Sequence, residues 1–458
     1  MSIRIAIAGG GISGLSLAYA LLDKNPALDV TVYEADSRPG GKVYTERVDG
    51  YICEAGVNGF LDNKPATLEL AKKIGLPPIK SNDNARKRYI YFDGALRMIP
   101  TDPAKFFLSN FLTLGGRLRM MGEYFVPKKN YEDESLKDFA VRRVGAEFYE
   151  KLLDPMASGI YAGDPEKMSI RSCFGKVYDL EQKYGGLIKG FMAVAKEKKQ
   201  TGESSKVEAG PGGTLMSFEQ GMYSLIQALS DFLGERLVTG KRLVETEKST
   251  HGYTLHFADG TQADSDCVVI TAPAHDMAGA IKGIDSSIAM QLNDIPYPAL
   301  SVVAFGYRKE RLTRDLNLFG FLIPAKEKRQ ILGTLFDTSI FPNRAPQDHV
   351  LLRVMIGGAR AEERALLPDE KLIDVARSEL AAIADVKADP ELIKVYRWEK
   401  AIPQYHVNHH KRIEMIEAAL IRHKGLYLGG NAFRGVAVND CIGNGYRLAD
   451  QIIADMDK

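Results

Sequence analysis

A glycine-rich turn near the start of the chain restricts the fold more than any other feature of the sequence. Residues 3–7 predict a short buried strand, and residues 15–22 predict a helix with one apolar face. Between them, Gly9, Gly11 and Gly14 have the spacing G-x-G-x-x-G. In such a turn the first glycine allows the sharp bend, the second lets the backbone approach a pyrophosphate, and the third lets the helix pack on the strand. The sequence therefore predicts a Rossmann-like α/β unit whose helix N-terminus faces phosphates.

An acidic residue follows this turn at the distance that nucleotide binding requires. Glu34 ends a second predicted strand, about 20 residues beyond Gly14. Its carboxylate can accept hydrogen bonds from both hydroxyls of a ribose, and it would repel a 2′-phosphate. The strand, turn, helix and acid together predict an ADP-containing dinucleotide, and they leave both NAD and FAD open.

A second glycine loop favours FAD, the longer of these ligands. Arg38-Pro39-Gly40-Gly41-Lys42 lies only a few residues beyond Glu34. Two more glycines and two cations so close to the ribose acid suit a ligand that extends over a second loop, although an ordinary Pro-Gly turn is the alternative interpretation. Gly56 follows another short predicted strand, at residues 51–53, and adds one more close approach of the backbone.

Charge and composition exclude several other classes of protein. The 458 residues include 60 Lys and Arg and 59 Asp and Glu, a net charge of +1, which argues against nucleic acid as a partner. The four cysteines are far apart and form no zinc or disulfide pattern, so we expect no metal site and a reducing, cytoplasmic location. The sequence contains no apolar run of the roughly 18 residues that a membrane-spanning helix needs.

The end of the chain repeats the order of strand, turn and helix. Residues 425–430 predict a strand and a turn, and a last helix is predicted from about residue 441 to 456. Asn439 or Asp440 would be its N-cap. In a flavin site this helix N-terminus would stabilise negative charge on the reduced ring, whereas elsewhere it would be an ordinary packing helix.

Longer stretches of the sequence match one group of flavoproteins. At the two ends these are the first glycine motif, Glu34, residues 38–41 and residues 429–431. Between and beside them, in chain order, stand RYIY at 88–91, GAL at 94–96, IP at 99–100, DPMASGIYAG at 154–163, SF at 217–218, GM at 221–222, FGFLIP at 319–324, GNAFRGV at 430–436 and NDCI at 439–442. On these stretches the chain resembles the flavin amine-oxidase superfamily and, within it, the FAD-dependent, oxygen-using protoporphyrinogen oxidases. One departure is Lys42, where the superfamily usually has an arginine; lysine keeps the charge and loses the guanidinium fork.

The resemblance implies an α/β (α+β) fold with three domains. A Rossmann-like FAD-binding domain would be discontinuous, built from residues 1–85, 206–285 and 415–458. A mixed-sheet substrate-binding domain would take residues 86–100 and 286–414, and residues 101–205 would form a helical, membrane-associating domain.

Residues 101–129 are the part of the helical domain that we expect at a membrane. Large apolar side chains are interleaved here with lysines and arginines, as in segments that lie in a membrane interface. An internal face of a helical domain is the alternative interpretation. The resemblance favours peripheral attachment of a cytoplasmic protein to the inner face of the cell membrane, and it is compatible with a homodimer.

The resemblance also assigns binding residues. Noncovalently bound FAD would contact residues of the two glycine loops, the middle of the chain and the C-terminal loop, namely Gly9, Gly11, Ile12, Ser13, Gly14, Glu34, Ala35, Arg38, Gly40, Gly41, Lys42, Gly56, Leu243, Val244, Gly430, Asn431, Val436, Val438, Asn439 and Ile442. The substrate would lie in an apolar pocket with one cation, formed by Arg88, Met156, Gly159, Phe319, Gly320 and Leu322. In this assignment Arg88 pairs with a propionate of the substrate.

The activity implied is the six-electron oxidation of protoporphyrinogen IX to protoporphyrin IX in heme and porphyrin biosynthesis, with oxygen as acceptor and hydrogen peroxide as product. Flavin N5 would accept the hydride, and no catalytic side chain or proton acceptor is assigned. The nearest alternative is oxidation of coproporphyrinogen III to coproporphyrin III. Other flavin oxidoreductases of amines or polyenes are less favoured, because residues 295–305 contain no lysine of the kind that many amine oxidases have. The intact Glu34 and residues 38–41 argue against a non-catalytic carrier on the same fold.

Overall fold

The computed structural model of the chain describes residues 3–100, 103–201, 213–314 and 316–456. In these ranges the strands, numbered in chain order, are β1 (Arg4–Ala8), β2 (Asp29–Tyr33), β3 (Thr45–Val48), β4 (Tyr51–Glu54), β5 (Phe60–Leu61), β6 (Pro78–Lys80), β7 (Arg88–Phe92), β8 (Ala95–Met98), β9 (Leu215–Phe218), β10 (Leu237–Val238), β11 (Leu243–Ser249), β12 (Gly252–Phe257), β13 (Gln262–Ser265), β14 (Cys267–Ile270), β15 (Leu300–Arg308), β16 (Gly320–Leu322), β17 (Gly333–Phe336), β18 (His349–Gly357), β19 (Leu392–Trp398) and β20 (Leu426–Leu428).

The α-helices of the described ranges are numbered in the same way. They are α1 (Ile12–Lys24), α2 (Ala66–Lys73), α3 (Pro103–Leu108), α4 (Leu114–Met121), α5 (Leu136–Val144), α6 (Ala146–Phe148), α7 (Asp154–Tyr161), α8 (Ile170–Cys173), α9 (Gly175–Tyr184), α10 (Leu187–Thr201), α11 (Tyr223–Leu233), α12 (Ala274–Ile281), α13 (Ser286–Asn293), α14 (Asp337–Ile340), α15 (Glu362–Ala365), α16 (Asp369–Ala384), α17 (His409–Leu420) and α18 (Val438–Met456). A π-helical turn, Tyr149–Leu153, leads directly into α7.

A five-stranded parallel sheet in the order β10-β2-β1-β14-β20 forms the centre of one half of the molecule. Ile5 and Ile7 of β1 pack into one apolar cluster, whereas Ala6 and Ala8 pack into another on the opposite face. Burial on both faces explains why the central strands β1 and β14 are short apolar runs, whereas β2, nearer the edge, alternates. Its strands come from residues 4–33, 237–270 and 426–428, so the sheet brings distant parts of the chain together. The expected α/β fold is confirmed.

The last helix begins three residues earlier than the sequence predicts. α18 starts at Val438, and the N–H of Cys441 already donates to the carbonyl of Ala437 at 3.0 Å. Asn439 is therefore inside the first turn and is not an N-cap. Its side chain accepts a hydrogen bond from Thr67 Oγ1 at 2.6 Å, which joins α18 to α2. Because a tertiary contact occupies this side chain, local capping preference does not set the helix boundary.

A seven-stranded mixed sheet forms the other half, in the order β19-β15-β18-β17-β16-β7-β8. The pair β16–β7 is parallel, and its register partners are Gly320 with Arg88 and Leu322 with Ile90. The remaining neighbouring pairs of this sheet are antiparallel. Buried residues of α16 pack on one face of the sheet and complete its core. A separate antiparallel sheet, β11-β12-β13, lies beside the parallel one.

The helices α3 to α10 form a third unit with a small apolar core and buried ion pairs. Arg143, which is fully buried, pairs with Glu123 at 2.8 Å and donates to the carbonyls of Val126 and Gly185. Residues 101 and 102 and the expected domain boundary at 205/206 lie outside the described residues. Within the described ranges, every helix is either too short or too polar to cross a lipid bilayer.

Candidate active site

In the first glycine loop, residues 9–14, one of the three glycines of the G-x-G-x-x-G motif has space beside it and the other two have none. A Cβ on Gly14 would lie 2.0 Å from the carbonyl oxygen of Gly9, and one on Gly9, whose φ is +118°, would lie 2.8 Å from Thr271 Oγ1. A Cβ on Gly11 would meet no atom of the described residues within 4 Å. Close packing therefore requires Gly9 and Gly14, whereas Gly11 borders open space at the N-terminus of α1. Ser13, in the first turn of α1, is buried, and so is Ile12 beside it.

The second glycine loop, residues 38–42, packs directly against the first. The N–H of Gly40 donates to the carbonyl of Gly10 at 2.8 Å, and a Cβ on Gly41 would lie 3.7 Å from the Cα of Gly11. The structure thus brings together the two loops that the sequence connects with a dinucleotide. The space beside Gly11 is bordered by backbone, as a pyrophosphate requires.

Glu34 lies at the carboxyl end of β2, under the first glycine loop. One carboxylate oxygen accepts from the N–H of Gly10 at 2.7 Å, and the other accepts from the N–H of Asp36 at 2.9 Å. The side chain is buried, and this burial raises the pKa of Glu34 above its ordinary value. Ala35 continues the chain beside it. The carboxylate is held in a fixed orientation and keeps lone pairs for ribose hydroxyls.

The two cations of the second loop differ in their surroundings. Arg38 donates to the carbonyls of Pro39 and Gly41 at 3.0 and 3.1 Å, and its guanidinium lies 4.2 Å from the ring centre of Tyr44. Arg38 therefore stabilises the loop itself. The ammonium of Lys42 lies 5.8 Å from the ring centre of Tyr297, and burial lowers the pKa of Lys42. Lys42 is the cation of this loop whose head group is not bound to the loop's own carbonyls.

Residues 54–58 run past the second glycine loop. A Cβ on Gly56 would lie 2.9 Å from the carbonyl oxygen of Lys42, so the two segments are in close contact. Both polar atoms of the Asn58 amide are buried and have no hydrogen-bond partner among the described residues. A buried amide without partners costs free energy unless a ligand satisfies it. The open space at Gly11, the oriented Glu34 and this amide fit a bound FAD. Sequence reasoning missed Asn58, whose only signal is its position two residues after Gly56.

The middle segment of the chain reaches Glu34 through its backbone. The N–H of Lys241 donates to the carbonyl of Glu34 at 2.7 Å, so the start of β11 lies beside the ribose acid. Leu243 is half-buried and packs on the apolar cluster under β14, whereas Val244 is 45% exposed. The structure thus brings Leu243 near the expected adenosine end and leaves Val244 largely in solvent.

The C-terminal loop meets the first glycine loop at Thr271. A Cβ on Gly430, whose φ is +100°, would lie 3.1 Å from the carbonyl oxygen of Thr271, the residue that also borders Gly9. The carbonyl of Asn431 accepts a hydrogen bond from Tyr405 Oη, and His409 stacks on the Tyr405 ring at 4.2 Å between ring centres. The C-terminal loop is therefore held by contacts with Thr271 and Tyr405, and Tyr405 is itself packed on His409. No motif of the sequence indicates these three residues.

The four remaining C-terminal residues assigned to FAD lie on or before α18. Val438 and Ile442 are buried in the core between α18 and α1. Val436 packs against the core of the helical unit. Asn439 binds α2 with its carbonyl oxygen, and its amide donates to the carbonyl of Leu61 at 2.8 Å. The side-chain amide of Asn439 therefore joins α18 to α2 and to Leu61.

The six residues assigned to the substrate lie on the neighbouring strands β7 and β16, at Phe319 just before β16, and on α7. The guanidinium of Arg88 lies 5.1 Å from the ring centre of Phe319, and Arg88 is the register partner of Gly320. A Cβ on Gly159 would lie 2.7 Å from Leu322 Cδ2, so α7 touches β16 at this point. Met156 is half-buried one turn earlier on α7. The structure therefore sets Arg88 beside Phe319 and Gly320, and Gly159 against Leu322. We call the candidate substrate site at these five residues and Met156 the β16–α7 slot.

Comparison with known proteins establishes the family. The family described as "Flavin containing amine oxidoreductase" matches residues 12–453. The chain belongs to the flavin-containing amine oxidoreductases. As a member of these, it is an FAD-dependent oxidoreductase, and the predicted family and cofactor are confirmed.

Individual flavin-containing amine oxidoreductases match over nearly the full chain. The coproporphyrinogen III oxidase of Bacillus subtilis (strain 168) is 31% identical, covering 96% of this chain and 96% of its own. The chloroplastic protoporphyrinogen oxidase of Oryza sativa subsp. japonica is 34% identical, covering 99% of this chain and 88% of its own. The solved structure of a protein from Exiguobacterium sp. 255-15 covers 100% of both chains with a TM-score of 0.84 and 26% sequence identity.

Proposed function

We propose that this flavoprotein oxidises protoporphyrinogen IX to protoporphyrin IX and transfers the electrons to oxygen. The observation that carries the proposal is the position of the Arg88 guanidinium, which lies 5.1 Å from the ring centre of Phe319, on the strand next to Gly320. A porphyrinogen is a broad apolar macrocycle with propionates on one edge, so an apolar slot with a cation at its end is complementary to it. The relatives named as protoporphyrinogen oxidases support the same substrate class.

Arg88 is the residue that we propose for substrate orientation. Its side chain lies against the face of Phe319, which fixes the guanidinium at the rim of the slot. A propionate that pairs with it would direct the macrocycle along β16 toward Leu322. The side chains around the slot would thus orient the substrate.

The cofactor supplies the redox chemistry: when bound, FAD takes electrons from the substrate and delivers them to oxygen. The chain contributes the binding. Glu34 would accept hydrogen bonds from the ribose, and the backbone at Gly11 and Gly41 would approach the pyrophosphate. Removal of six hydrogens from the porphyrinogen reduces three molecules of oxygen to hydrogen peroxide.

Oxidation of coproporphyrinogen III is the second candidate. It is favoured by the Bacillus subtilis relative, which is 31% identical over nearly the whole of both chains and is named as a coproporphyrinogen III oxidase. That substrate carries four propionates, so it needs more cations around the slot than protoporphyrinogen IX, which carries two. Arg88 is the one cation that we assign to the slot, and this favours the substrate with fewer carboxylates.

An apolar surface of the helical unit is what we propose for membrane contact. None of the residues of α4 is buried, and Leu114, Leu118, Met121 and Phe125 are all exposed, Phe125 by 83%. We call these four residues the α4 surface. Lysines at 105, 128 and 129 are exposed in the same segment. Such a combination suits an interface with anionic lipid, and we propose a cytoplasmic protein that binds the inner face of the cell membrane.

The substrate assignment is tested by steady-state kinetics on the two porphyrinogens. Purified protein should show flavin absorption bands, form porphyrin from protoporphyrinogen IX, and release three peroxide molecules for each porphyrin. Reactions without protein measure spontaneous oxidation and are subtracted. A strong preference for coproporphyrinogen III would replace the first candidate with the second, and no activity on either would refute the proposed function.

A steric variant tests whether the slot is the substrate site. Gly159→Leu should lower kcat/KM about tenfold or more, because even a Cβ at this position lies 2.7 Å from Leu322 Cδ2. Gly279→Leu is the matched control, since Gly279 is also an exposed helical glycine and a Cβ there meets nothing within 4 Å among the described residues. Equal flavin content in both variants, with equal kinetics, would contradict this location of the substrate.

A further inference from the structure

Three consecutive backbone carbonyls on the cofactor side accept hydrogen bonds from side chains of the seven-stranded sheet. Arg353 Nη1 donates to the carbonyl of Glu54 at 2.6 Å and to that of Gly56 at 3.4 Å. Trp398 Nε1 donates to the carbonyl of Ala55 at 2.9 Å. Arg353 lies on β18 and Trp398 ends β19, so both donors belong to the sheet that also carries β16. We call Arg353 and Trp398 the carbonyl clamp.

The charge of Arg353 is neutralised in a way that fixes its orientation. The guanidinium is buried, and its Nε and Nη2 donate to the two carboxylate oxygens of Asp337 at 2.7 and 2.8 Å. A bidentate pair of this kind holds the plane of the guanidinium. Nη1, on the other edge, is then directed at the carbonyls of Glu54 and Gly56. A buried ion pair does not by itself stabilise a fold, so its value lies in this fixed geometry.

The clamped segment is the one that borders the cofactor loops. The close contact between Gly56 and the carbonyl of Lys42 joins it to the second glycine loop. Asn58, whose buried amide has no partner among the described residues, follows two positions later. The clamp therefore sets where this stretch of backbone stands relative to the FAD site.

Arg353 lies in the same row of the sheet as Arg88, the residue proposed to bind the substrate. Arg88 pairs with Gly320, Gly320 with Leu335, and Leu335 with Arg353, on the neighbouring strands β7, β16, β17 and β18. Neighbouring strands are about 4.8 Å apart, so this row spans roughly 14 Å of sheet from the slot to the clamp. The hydrogen bonds between these strands hold Arg353 at a fixed distance from Arg88.

We propose that Arg353 and Trp398 are positioning residues that fix the backbone of residues 54–56, and with it the cofactor-facing chain as far as Asn58, relative to the substrate slot. The inference rests on the proposed function, because it assigns to the clamp the mutual orientation of porphyrinogen and FAD. Neither side chain is proposed to touch the reacting atoms.

The first experiment uses the fluorescence of Trp398, the one tryptophan of the sequence. Flavin is removed from the purified protein and added back while tryptophan emission is followed. FAD binding should quench and shift this emission, because the indole is hydrogen-bonded to the residue next to Gly56. Stoichiometric FAD binding with unchanged emission would overturn the proposal, and this measurement needs no variant.

The second experiment removes the indole N–H. Trp398→Phe keeps an aromatic ring, and losing one hydrogen bond should raise the dissociation constant of FAD about fivefold. It should also alter the visible spectrum of the bound flavin and lower kcat while the KM for porphyrinogen is unchanged. Arg353→Lys keeps the charge, loses the fork, and should act in the same direction. Arg397→Lys is the control, since Arg397 is adjacent on β19 but binds Leu367 and Asp369.

The outcomes separate the clamp from the proposed function. Wild-type flavin affinity and spectrum in folded Trp398→Phe would refute the clamp even if porphyrinogen is oxidised. Flavin-dependent emission of Trp398, together with weakened FAD binding in the variant but no activity on either porphyrinogen, would support the clamp and refute the function. If Trp398→Phe does not fold, the emission of the wild-type protein decides.

Discussion

At the scale of single residues, the sequence indicates the side chain at one end of the cofactor site but not those at the other end. Glu34 could be predicted because ribose recognition requires an acid at a fixed distance from a glycine turn, and the structure orients it with two backbone N–H groups. Tyr405 and His409 could not be predicted, because they act from a helix and loop that are remote in sequence. Only the folded chain brings them under Asn431.

Replacement of Glu34 tests the ribose contact. Glu34→Ala should lower FAD affinity at least tenfold, because it removes a buried acceptor of charge-assisted hydrogen bonds. Flavin content after gel filtration and the dissociation constant of FAD are the measurements. Glu235→Ala is the control, because it makes the same substitution at an exposed acid and should retain the flavin. Undiminished flavin in Glu34→Ala would exclude the ribose role.

Replacement of Arg88 tests the substrate contact. Arg88→Ala should raise KM by a factor corresponding to about 1.5–3 kcal/mol, the value of one charge-assisted hydrogen-bonded pair. Arg88→Lys keeps the charge and should recover part of the loss. Flavin content is the internal control, because Arg88 lies on β7 in the substrate sheet. Kinetics equal to wild type in Arg88→Ala would remove Arg88 from the site.

His409 predicts how stability depends on pH. Burial lowers the pKa of His409 to about 4, whereas an unfolded chain has an ordinary histidine near 6.5. The unfolded state therefore takes up the proton first, so the stabilisation is present above pH 6.5 and is lost as the pH falls toward 4. Between pH 7 and 5 the wild type should lose roughly 2 kcal/mol of unfolding free energy more than His409→Gln.

Urea unfolding at the two pH values measures this difference. His251→Gln, the same substitution at an exposed histidine, is the control. Parallel loss of stability in the wild type and in His409→Gln would show that other groups cause the acid sensitivity.

At the scale of elements, the apolar stretch 101–129 shows why a sequence pattern alone was ambiguous. Phe111 and Leu112 are buried and pack with Phe92, whereas Leu114 and Leu118 are exposed on α4. An internal face therefore describes part of the segment, and for the exposed part contact with a membrane stays a prediction. The buried and the exposed parts of the segment have the same kind of apolar residues, so only the direction of each side chain distinguishes them. Residues 101 and 102 lie outside the described residues.

The α4 surface predicts binding to lipid. Leu118→Ser and Phe125→Ser together should reduce sedimentation with anionic liposomes several-fold, since burying each large side chain is worth about 1.5–3 kcal/mol. Ile421→Ser is the matched control, because Ile421 is 79% exposed on a different helix end. Equal sedimentation of the double variant and the wild type would exclude this surface.

At the scale of the whole molecule, the sequence predicts the cofactor half better than the connection between the halves. In the first strand, glycine turn and helix, each position of the motif has a physical requirement, so this unit can be predicted from its residues. The division into separate segments follows from the resemblance alone, because no local pattern indicates which distant strands become neighbours. The pair of Arg353 with Asp337 joins residues of β18 and α14, and neither position has a sequence signal beyond its charge.

The parallel sheet has a consequence for synthesis of the protein. Its edge strand β20 and the helix α18, which packs on α1, come from the last tenth of the described chain. A ribosome that has released the first glycine loop must therefore translate as far as α18 before that loop has its final neighbours. Binding of the flavin then follows late in synthesis. A chain that terminates before α18 leaves the ribosome without the helix that packs on α1.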